Sequence, residues 1–255
     1  MFAHPPRLHF VTPAIVERTL ARLGTPRVLS DGERTAVDRL AVDRRRRDWL
    51  AGRIAVKRTL RAAVRECGEP VPAYRDITVW NEAAGAPCFT VSGRPELARR
   101  WNISIAHTDG AAVAALACTD RSGTVGVDIE RTQPLSASLI RYALTSDEAR
   151  RFRDDDPHRP APLVVWTLKE AVLKAGRGVC TALRDIELTW SDAGRVTARV
   201  VGVRALAPEI AVTHRAVGDY TIALALCRRV GRRPFEADRS TVGEHATTSC
   251  AAAVA

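Results

Sequence analysis

The chain has 255 residues, of which 46% are hydrophobic, and it carries a formal net charge of +10. This hydrophobic content is sufficient for a substantial core, which excludes a globally disordered chain. The longest apolar stretches, such as AAVAALAC at 111–118, are too short to cross a bilayer. The positive charge favours an anionic partner, which could be a nucleic acid, a phosphorylated small molecule or an acidic protein.

Cysteine usage and the first residues indicate a compartment. The six cysteines are scattered and form no CxxC pair, so neither a zinc site nor a disulfide framework is predicted. The opening MFAHPPRLHFVTP has no continuous apolar segment behind a basic start, so no signal peptide is predicted. Together these features predict a reduced, cytoplasmic protein.

The first part of the chain reads as a helical region followed by strands. Residues 31–66 are predicted to be mostly helical, because apolar residues recur at helical spacing with arginines between them. DITVW at 76–80 predicts a strand, and NEAAGAP predicts the turn after it. ISIAHTDGAAVAALACTD predicts two strands joined by a tight turn at Asp109–Gly110, and TVGVDIE predicts a third strand.

The second part repeats this alternation. SASLIRYALTSDEARRF is predicted to be helical, with a restart where Thr145 and Glu148 match a capping box. DDDPHRPAP predicts a loop, and LVVWTLKEAVLKAG predicts a helix that ends at Gly176. DIELTW and YTIALALC predict strands, and a disordered tail is expected from about Gly231.

Three segments recur in the same order along the chain. WLAGRIAVK aligns with WTLKEAVLK at an offset of 117 residues, whereas DITVW with DIELT and AVAALAC with TIALALC both align at 109. The shared order predicts two similar halves, 1–122 and 123–230, before a tail at 231–255. A cleft between two such halves is a common place for a ligand. In this alignment Arg53 and Lys57 would face Glu170 and Lys174 across the cleft.

The strand GVDIE carries two carboxylates on one face. Alternate side chains of a strand point the same way, so Asp128 and Glu130 are expected side by side. Such a pair needs a shared proton, a basic partner or a metal ion. With Glu170 it would form a three-carboxylate oxygen site suited to Mg²⁺. The alternative is that both are solvated residues of an edge strand, paired with Arg131.

Other polar residues allow two interpretations each. Trp166, Glu170 and Lys174 share one helix face, which is also the pattern of an ordinary surface Glu–Lys pair. His107 could bind a phosphate beside the hydroxyl groups of Ser104 and Thr108, or it could be structural. The arginine run at 44–47 could enter a site or form a solvated helix face.

Taken together, these motifs resemble the phosphopantetheinyl transferases of the longer Sfp type. GVDIE at 126–130 is similar to the family's strand motif G-[IV]-D-x-E, and WTLKEAVLK at 166–174 to its helix motif W-x-x-K-E-x-x-x-K. SIAHT is similar to a third family segment, and GAP at 85–87 matches a fourth in part. The resemblance spans about residues 30–228. Ala106 and Ala86 depart from it, because the family often has Ser and Lys at these positions.

The resemblance implies a fold and a reaction. The fold would be α+β, with two pseudo-symmetric halves, each a small, mainly antiparallel sheet packed with helices, and an active site in the cleft between them. The reaction would move 4′-phosphopantetheine from coenzyme A to a serine of an apo acyl or peptidyl carrier protein, releasing adenosine 3′,5′-bisphosphate. The carrier would serve fatty acid, polyketide or nonribosomal peptide synthesis. A monomer that binds neither nucleic acid nor membrane is expected.

The resemblance also assigns roles to residues. Asp128, Glu130 and Glu170 would bind Mg²⁺, or Mn²⁺ in its place; Glu170 would also act as a general base, with Lys174 and His107 as further catalytic groups at the phosphates. The residues expected at coenzyme A are Arg44, Arg47, Arg53, Gly85, Ala86, Pro87, Ala106, His107, Thr108, Asp128 and Lys174.

Two other functions compete with this one. The charge and the RRRR run allow a nucleic-acid-binding protein, although only 5% of residues are aromatic and no RNP-like or zinc-finger pattern occurs. The second competitor is a non-catalytic relative that binds coenzyme A, which should have lost a carboxylate, whereas this chain keeps all three.

Overall fold

The part of the chain that can be described covers both predicted halves. The structure, a computed structural model, describes residues 6–119, 123–153, 158–178, 180–191, 193, 195–201 and 208–228. The predicted tail at 231–255 and part of the predicted DDDPHRPAP loop lie outside them. Within the described ranges, no helix has both the length and the apolar character needed to span a membrane.

The first half contains one three-stranded sheet, one hairpin and a long helix. The sheet is antiparallel with the order β1-β5-β4, and β2 pairs with β3 in the hairpin. The elements are β1 (Arg7–Val11), α1 (Pro13–Leu23), α2 (Thr25–Val28), α3 (Asp31–Asp38), α4 (Asp43–Glu66), β2 (Ile77–Asn81), β3 (Pro87–Val91), α5 (Pro95–Arg100), β4 (Trp101–Thr108) and β5 (Ala111–Cys118).

The second half has a matching set of elements. Its three-stranded sheet is antiparallel with the order β6-β10-β9, and β7 pairs with β8. The elements are β6 (Thr124–Arg131), α6 (Ala137–Ala143), α7 (Ser146–Arg153), α8 (Pro162–Gly176), β7 (Ile186–Trp190), β8 (Val196–Val200), β9 (Glu209–Val217) and β10 (Tyr220–Arg228). The predicted α+β class with small antiparallel sheets is confirmed.

The repeat is visible in equivalent hydrogen bonds. Asp76 and Asp185, 109 residues apart, each end a single 3₁₀ turn before a strand. Each accepts a hydrogen bond from the backbone three residues earlier, at Ala73 and Ala182, with distances of 3.1 and 2.9 Å. The offset of 109 predicted for the strands therefore matches the structure. The division of the chain at residues 122 and 230 stays a prediction.

A buried ion pair holds α4 in the first half. Lys57 Nζ lies 2.5 Å from Glu33 Oε2, and neither side chain is more than 2% exposed. Glu33 also closes the capping box of α3 with Ser30 and accepts a hydrogen bond from the Val79 backbone N–H at 3.0 Å. Lys57 therefore lies inside the first half, and its predicted position facing the cleft is wrong.

The second half repeats this ion pair with a different lysine. Lys169 Nζ lies 2.5 Å from Glu148 Oε2, and Glu148 accepts the Leu188 backbone N–H at 2.7 Å. The predicted capping box of Thr145 and Glu148 is present. The structural equivalent of Lys57 is thus Lys169, at an offset of 112, and the predicted alignment of Lys57 with Lys174 is wrong. Spacing alone could not distinguish the lysine that meets a buried glutamate.

The two halves meet where β6 lies beside β4. Asn102 Oδ1 accepts a hydrogen bond from the Val125 N–H at 2.9 Å, and Ser104 Oγ accepts one from the Val127 N–H at 3.0 Å. These two side chains satisfy backbone N–H groups on an edge of β6 where no described strand pairs with it. A core of small and branched residues, including Val113 and Ile222, fills the space behind them. The two halves are therefore packed together through a common core.

Several elements were not predicted from the sequence. They are short or amphipathic segments at the margins of the sheets and helices: β1, α1, α2, α5, β3, β8 and β9. β9, for example, lies at the edge of its sheet and has no fully buried position, and polar residues interrupt its apolar ones, so it lacks a continuous apolar run.

Candidate active site

Strand β6 presents two carboxylates toward helix α8. Asp128 and Glu130 point to the same face as Gly126, and Gly126 lies directly against the backbone of α8 at Ala171 and Ala175. The alternate residues, such as Val127, fill the core on the other face. Asp128 is only 5% exposed, so the interpretation as a solvated edge-strand residue is wrong for it. The expected side-by-side placement of Asp128 and Glu130 is present.

Helix α8 meets these carboxylates with two donors. Lys174 Nζ lies 2.6 Å from Asp128 Oδ1, and Trp166 Nε1 donates a hydrogen bond to Glu130 Oε1 at 3.1 Å. Glu170, one turn from each donor, lies on the same face and interacts electrostatically with Asp128 and Lys174. The helix and the strand, 40 residues apart in sequence, therefore bring all three predicted acids into one cluster.

The carboxylates of this cluster are electrostatically strained. Burial raises the pKa of Glu170 and of Glu130 above the usual value, and the charge of Asp128 raises both further. Trp166 and Lys174 partly offset this increase for Glu130. Three acids with one ammonium group leave the cluster short of positive charge, so a further cation would stabilise it.

The oxygen atoms of the cluster are of the type that a hard divalent cation prefers as ligands. Asp128 Oδ2 is buried and, among the described residues, has no hydrogen-bond partner. An unpartnered buried acceptor is costly unless a cation or donor satisfies it. Among the described residues, no group of three or more His, Cys, Asp and Glu side chains is arranged as a ready metal site. Lys174 holds Asp128 Oδ1, so a metal ion would require side-chain adjustment there.

The first half contributes His107 at the end of β4. Its Nδ1 lies 3.8 Å from Asp48 Oδ2, and Asp48 Oδ1 accepts the Gly110 N–H at 2.6 Å. Burial lowers the pKa of His107, Asp48 raises it, and the positive charges of Lys174 and Arg53 lower it further. Lys174 belongs to the second half, so charges from both halves influence the pKa of His107. Asp48 was not predicted as a site residue.

A tight turn fixes the position of His107. Asp109 and Gly110 have φ angles of 49° and 78°, as in the two-residue turn that joins antiparallel strands with their natural twist. Arg44 reaches this turn and lies 3.0 Å from Asp109 Oδ1. Arg47 also lies beside it, with its Cβ 3.8 Å from the position that a Cβ on Gly110 would occupy. The start of α4 is thereby placed next to His107 and Thr108.

Arg53 is a partly buried cation on the same helix. Its guanidinium lies over the Trp49 ring at 4.2 Å, and burial lowers the pKa of Arg53 to about 10, so it stays charged at neutral pH. Its Nε has no hydrogen-bond partner among the described residues. Ala106 is 5% exposed and belongs to the core between the sheets. Its side chain is therefore directed into the protein, unlike the predicted contact residues around it.

A cavity of about 300 Å³ adjoins Lys174. It is bounded by residues of both halves: Ala84, Gly85, Ala86, Pro87, Ile103, Ser104, Ile105, Leu173, Lys174 and Arg177. The predicted Gly85–Ala86–Pro87 turn therefore reaches the site from the β2–β3 hairpin.

Arg177 is a site residue that the sequence did not reveal. It follows the end of α8 with a φ of 35°, a left-handed conformation, and its guanidinium donates to the Ile103 carbonyl at 3.2 Å. Arg177 and Ala86 both line the cavity, so Arg177 provides it with a positive charge that Ala86 lacks. The only available sequence signal was its position directly after the predicted helix end.

The residues described above combine cations with oxygen ligands, and Lys174 and Arg177 among them line the cavity. Lys174, Arg53 and Arg177 can stabilise phosphate oxygens, and His107 is neutral or charged depending on what binds beside it. The acids can hold a divalent cation and accept a proton. Such a combination suits transfer of a phosphorylated group, where neutralising charge and positioning the reactants are the main requirements.

Comparison with known proteins gives a family and several relatives. A model of the 4′-phosphopantetheinyl transferase superfamily matches residues 124–225, which include β6 and α8. Holo-[acyl-carrier-protein] synthases from two strains of Staphylococcus epidermidis are 30% identical over 88 residues, covering 34% of this chain and 71% of theirs.

Solved structures of holo-[acyl-carrier-protein] synthases are also similar to this chain. Holo-[acyl-carrier-protein] synthase from Neisseria meningitidis is 19% identical with a TM-score of 0.37, covering 46% of this chain and 98% of that one. The Helicobacter pylori enzyme in complex with coenzyme A is 20% identical with a TM-score of 0.34, covering 45% and 99%.

Proposed function

The chain belongs to the 4′-phosphopantetheinyl transferase superfamily, and from this premise we propose that it transfers 4′-phosphopantetheine from coenzyme A to a serine of an apo acyl or peptidyl carrier protein. Adenosine 3′,5′-bisphosphate would be the second product. The observation that carries the proposal is the grouping of Asp128, Glu130 and Glu170 around Lys174, which also influences the pKa of His107 from the other half. The likeness to the longer Sfp type stays a prediction.

Mg²⁺, with Mn²⁺ as a substitute, is the proposed metal. Asp128, Glu130 and Glu170 would hold it, and the unpartnered buried Oδ2 of Asp128 supports this assignment. When bound, the ion would neutralise charge on the diphosphate of coenzyme A and on the leaving group. Burial, and after it the charge of Asp128, raises the pKa values of Glu130 and Glu170.

Coenzyme A is proposed to lie across both halves. Arg44, Arg47, Arg53, His107 and Thr108 surround the end of β4, and they would bind the phosphates of the nucleotide part. The cavity beside Gly85, Ala86 and Pro87 would take another portion of the molecule. Ala106 would contribute through its backbone alone, because its side chain is buried. Arg177 would supply a cation near Ala86.

The proton and the bond changes can then be assigned. The carrier serine Oγ would form a bond to the phosphorus that bears pantetheine, and the bond from this phosphorus to the oxygen of the departing adenosine 3′,5′-bisphosphate would break. Glu170, whose raised pKa makes it a better proton acceptor, would take the serine proton directly or through water. Lys174 would bind phosphate oxygens as their charge shifts to the leaving group.

The partner and the setting follow from charge and cysteine state. A net charge of +10 favours docking of an acidic carrier protein. Cys67, Cys88, Cys118 and Cys180 are free thiols, which agrees with a reducing cytoplasm. A monomer remains the expected form.

Mass spectrometry of a purified apo acyl carrier protein tests the proposal. With coenzyme A and Mg²⁺, the wild-type protein should add the mass of one phosphopantetheine group to the carrier, and chelation with EDTA should stop the reaction. Asp128→Ala and Glu170→Gln should each abolish the gain, whereas Glu209→Gln, an exposed acid on β9, should leave it unchanged.

The same measurement can contradict the proposal. An apo peptidyl carrier should be run in parallel, because the carrier class is open. No mass gain with either carrier, under conditions where the protein is folded and binds coenzyme A, would refute transfer. Substantial turnover by purified Glu170→Gln would refute its role as base.

A further inference from the structure

A second, larger cavity lies on α1, α2 and α4, away from the site described above. Its volume is about 980 Å³, which is ample for a small-molecule ligand. Among the described residues, its lining includes no acid, and more than half of it consists of arginines: Arg18, Arg22, Arg27, Arg58, Arg61 and Arg75. We name this cavity the arginine pocket.

Few acidic side chains neutralise the charge of the arginines in this pocket. Among the ion pairs between described residues, only Arg75 takes part, and it lies 3.9 Å from Asp76. Arg58 Nε is buried and has no hydrogen-bond partner among the described residues. Arg61 donates a hydrogen bond to the Pro72 carbonyl and lies over the Tyr74 ring at 4.5 Å, and these contacts use only some of its hydrogen-bond donors. Like charges collected in a concave site without acids favour an anionic ligand.

The arginine pocket is separate from the candidate active site. The two share no lining residue, and Arg53 and Arg58 on α4 point about 140° apart around the helix at 100° per residue. Arg44, at the active-site end, and Arg61 are separated by about 25 Å of helix at 1.5 Å per residue. A ligand in the pocket therefore cannot be the portion of coenzyme A that reacts.

The chemistry of the lining identifies a class of ligand. A guanidinium binds phosphate through two parallel hydrogen bonds, so several of them around one cavity suit several phosphate groups at once. Its apolar positions, such as Ile15 and Leu23, give walls without further charge. We infer that the arginine pocket binds a small molecule carrying several contiguous phosphate groups.

Isothermal titration calorimetry with inorganic tripolyphosphate, in the absence of metal, tests the inference. The pocket variant is Arg22→Gln/Arg27→Gln, which changes two exposed residues and so preserves the fold. The matched control is Arg99→Gln/Arg215→Gln, which removes the same charge from exposed positions elsewhere. The pocket variant should bind roughly tenfold or more weakly, because it loses charge-assisted hydrogen bonds, and the control should bind as the wild type does.

Two outcomes would overturn the inference. Equal losses of affinity in the pocket variant and the control would mean that tripolyphosphate binding depends only on the overall charge of the protein. Loss in Lys174→Gln, with the pocket variant unaffected, would place the anion in the active site. A parallel titration with ATP separates the sources: tighter binding of ATP than of tripolyphosphate indicates a nucleotide, and equal or weaker binding indicates an inorganic oligophosphate.

Discussion

Gly126 controls whether α8 can bring its side chains to β6. A Cβ at this position would lie 2.5 Å from the Ala175 nitrogen and closer still to the Ala171 carbonyl oxygen, and both are backbone atoms. Ordinary contact begins at 3.4 Å, so Gly126→Ala would force the helix away by about 0.9 Å at Ala175 and by about 1.5 Å at Ala171. Lys174 and Asp128, now 2.6 Å apart, would then lose their ion pair.

The expected loss can be stated for activity and for stability. A displacement of about 1 Å in a catalytic arrangement costs roughly a hundredfold in rate, and overpacking costs about 1–3 kcal/mol of stability. Carrier modification by Gly126→Ala should be followed by mass spectrometry, and its free energy of unfolding by urea denaturation.

Gly32→Ala is the matched control, because a Cβ at Gly32 in α3 meets nothing within 4 Å. It should retain full activity and be as stable as the wild type or slightly more so, since Ala is the better helix former. Wild-type activity and stability in Gly126→Ala would refute the close packing of α8 on β6 as the device that assembles the site.

Two further predictions concern single side chains. Lys57→Met should lower the free energy of unfolding, measured by urea denaturation, by about 3–5 kcal/mol, because it leaves Glu33 as a buried, unpaired charge. The KM of the folded protein for coenzyme A should not change. A large rise in this KM would instead place Lys57 at the ligand. The pKa of His107, followed by NMR, should lie below 6.5, and it should rise in Lys174→Met and fall further in Asp48→Asn. An unchanged pKa in Lys174→Met would show that the two halves do not meet at His107.

The site was more predictable than the sheet margins. GVDIE and WTLKEAVLK each have a strong periodic pattern, so the faces of β6 and α8 could be deduced from spacing alone. The contact between β6 and α8 depends on Gly126, because the absence of a side chain there lets the backbone of α8 lie directly against the strand. The strand was predicted from its pattern, but this packing could be found only in three dimensions.

Other features depended on tertiary partners that the sequence does not display. The correct equivalence of Lys57 with Lys169 follows from Glu33 and Glu148, which lie in separate helices. Arg177 reaches the cavity because of a left-handed backbone conformation, which residue type does not predict for arginine. Local pattern thus located the acids, whereas long-range packing decided which cations accompany them.

Three acids from one strand and one helix are proposed to hold a single divalent cation for coenzyme A. Electron paramagnetic resonance of Mn²⁺ in the presence of coenzyme A measures this directly. The account predicts one bound ion per chain, with binding weakened at least about tenfold in each of Asp128→Asn, Glu130→Gln and Glu170→Gln, and unchanged in Glu209→Gln. Wild-type Mn²⁺ affinity in all three acid variants would contradict it.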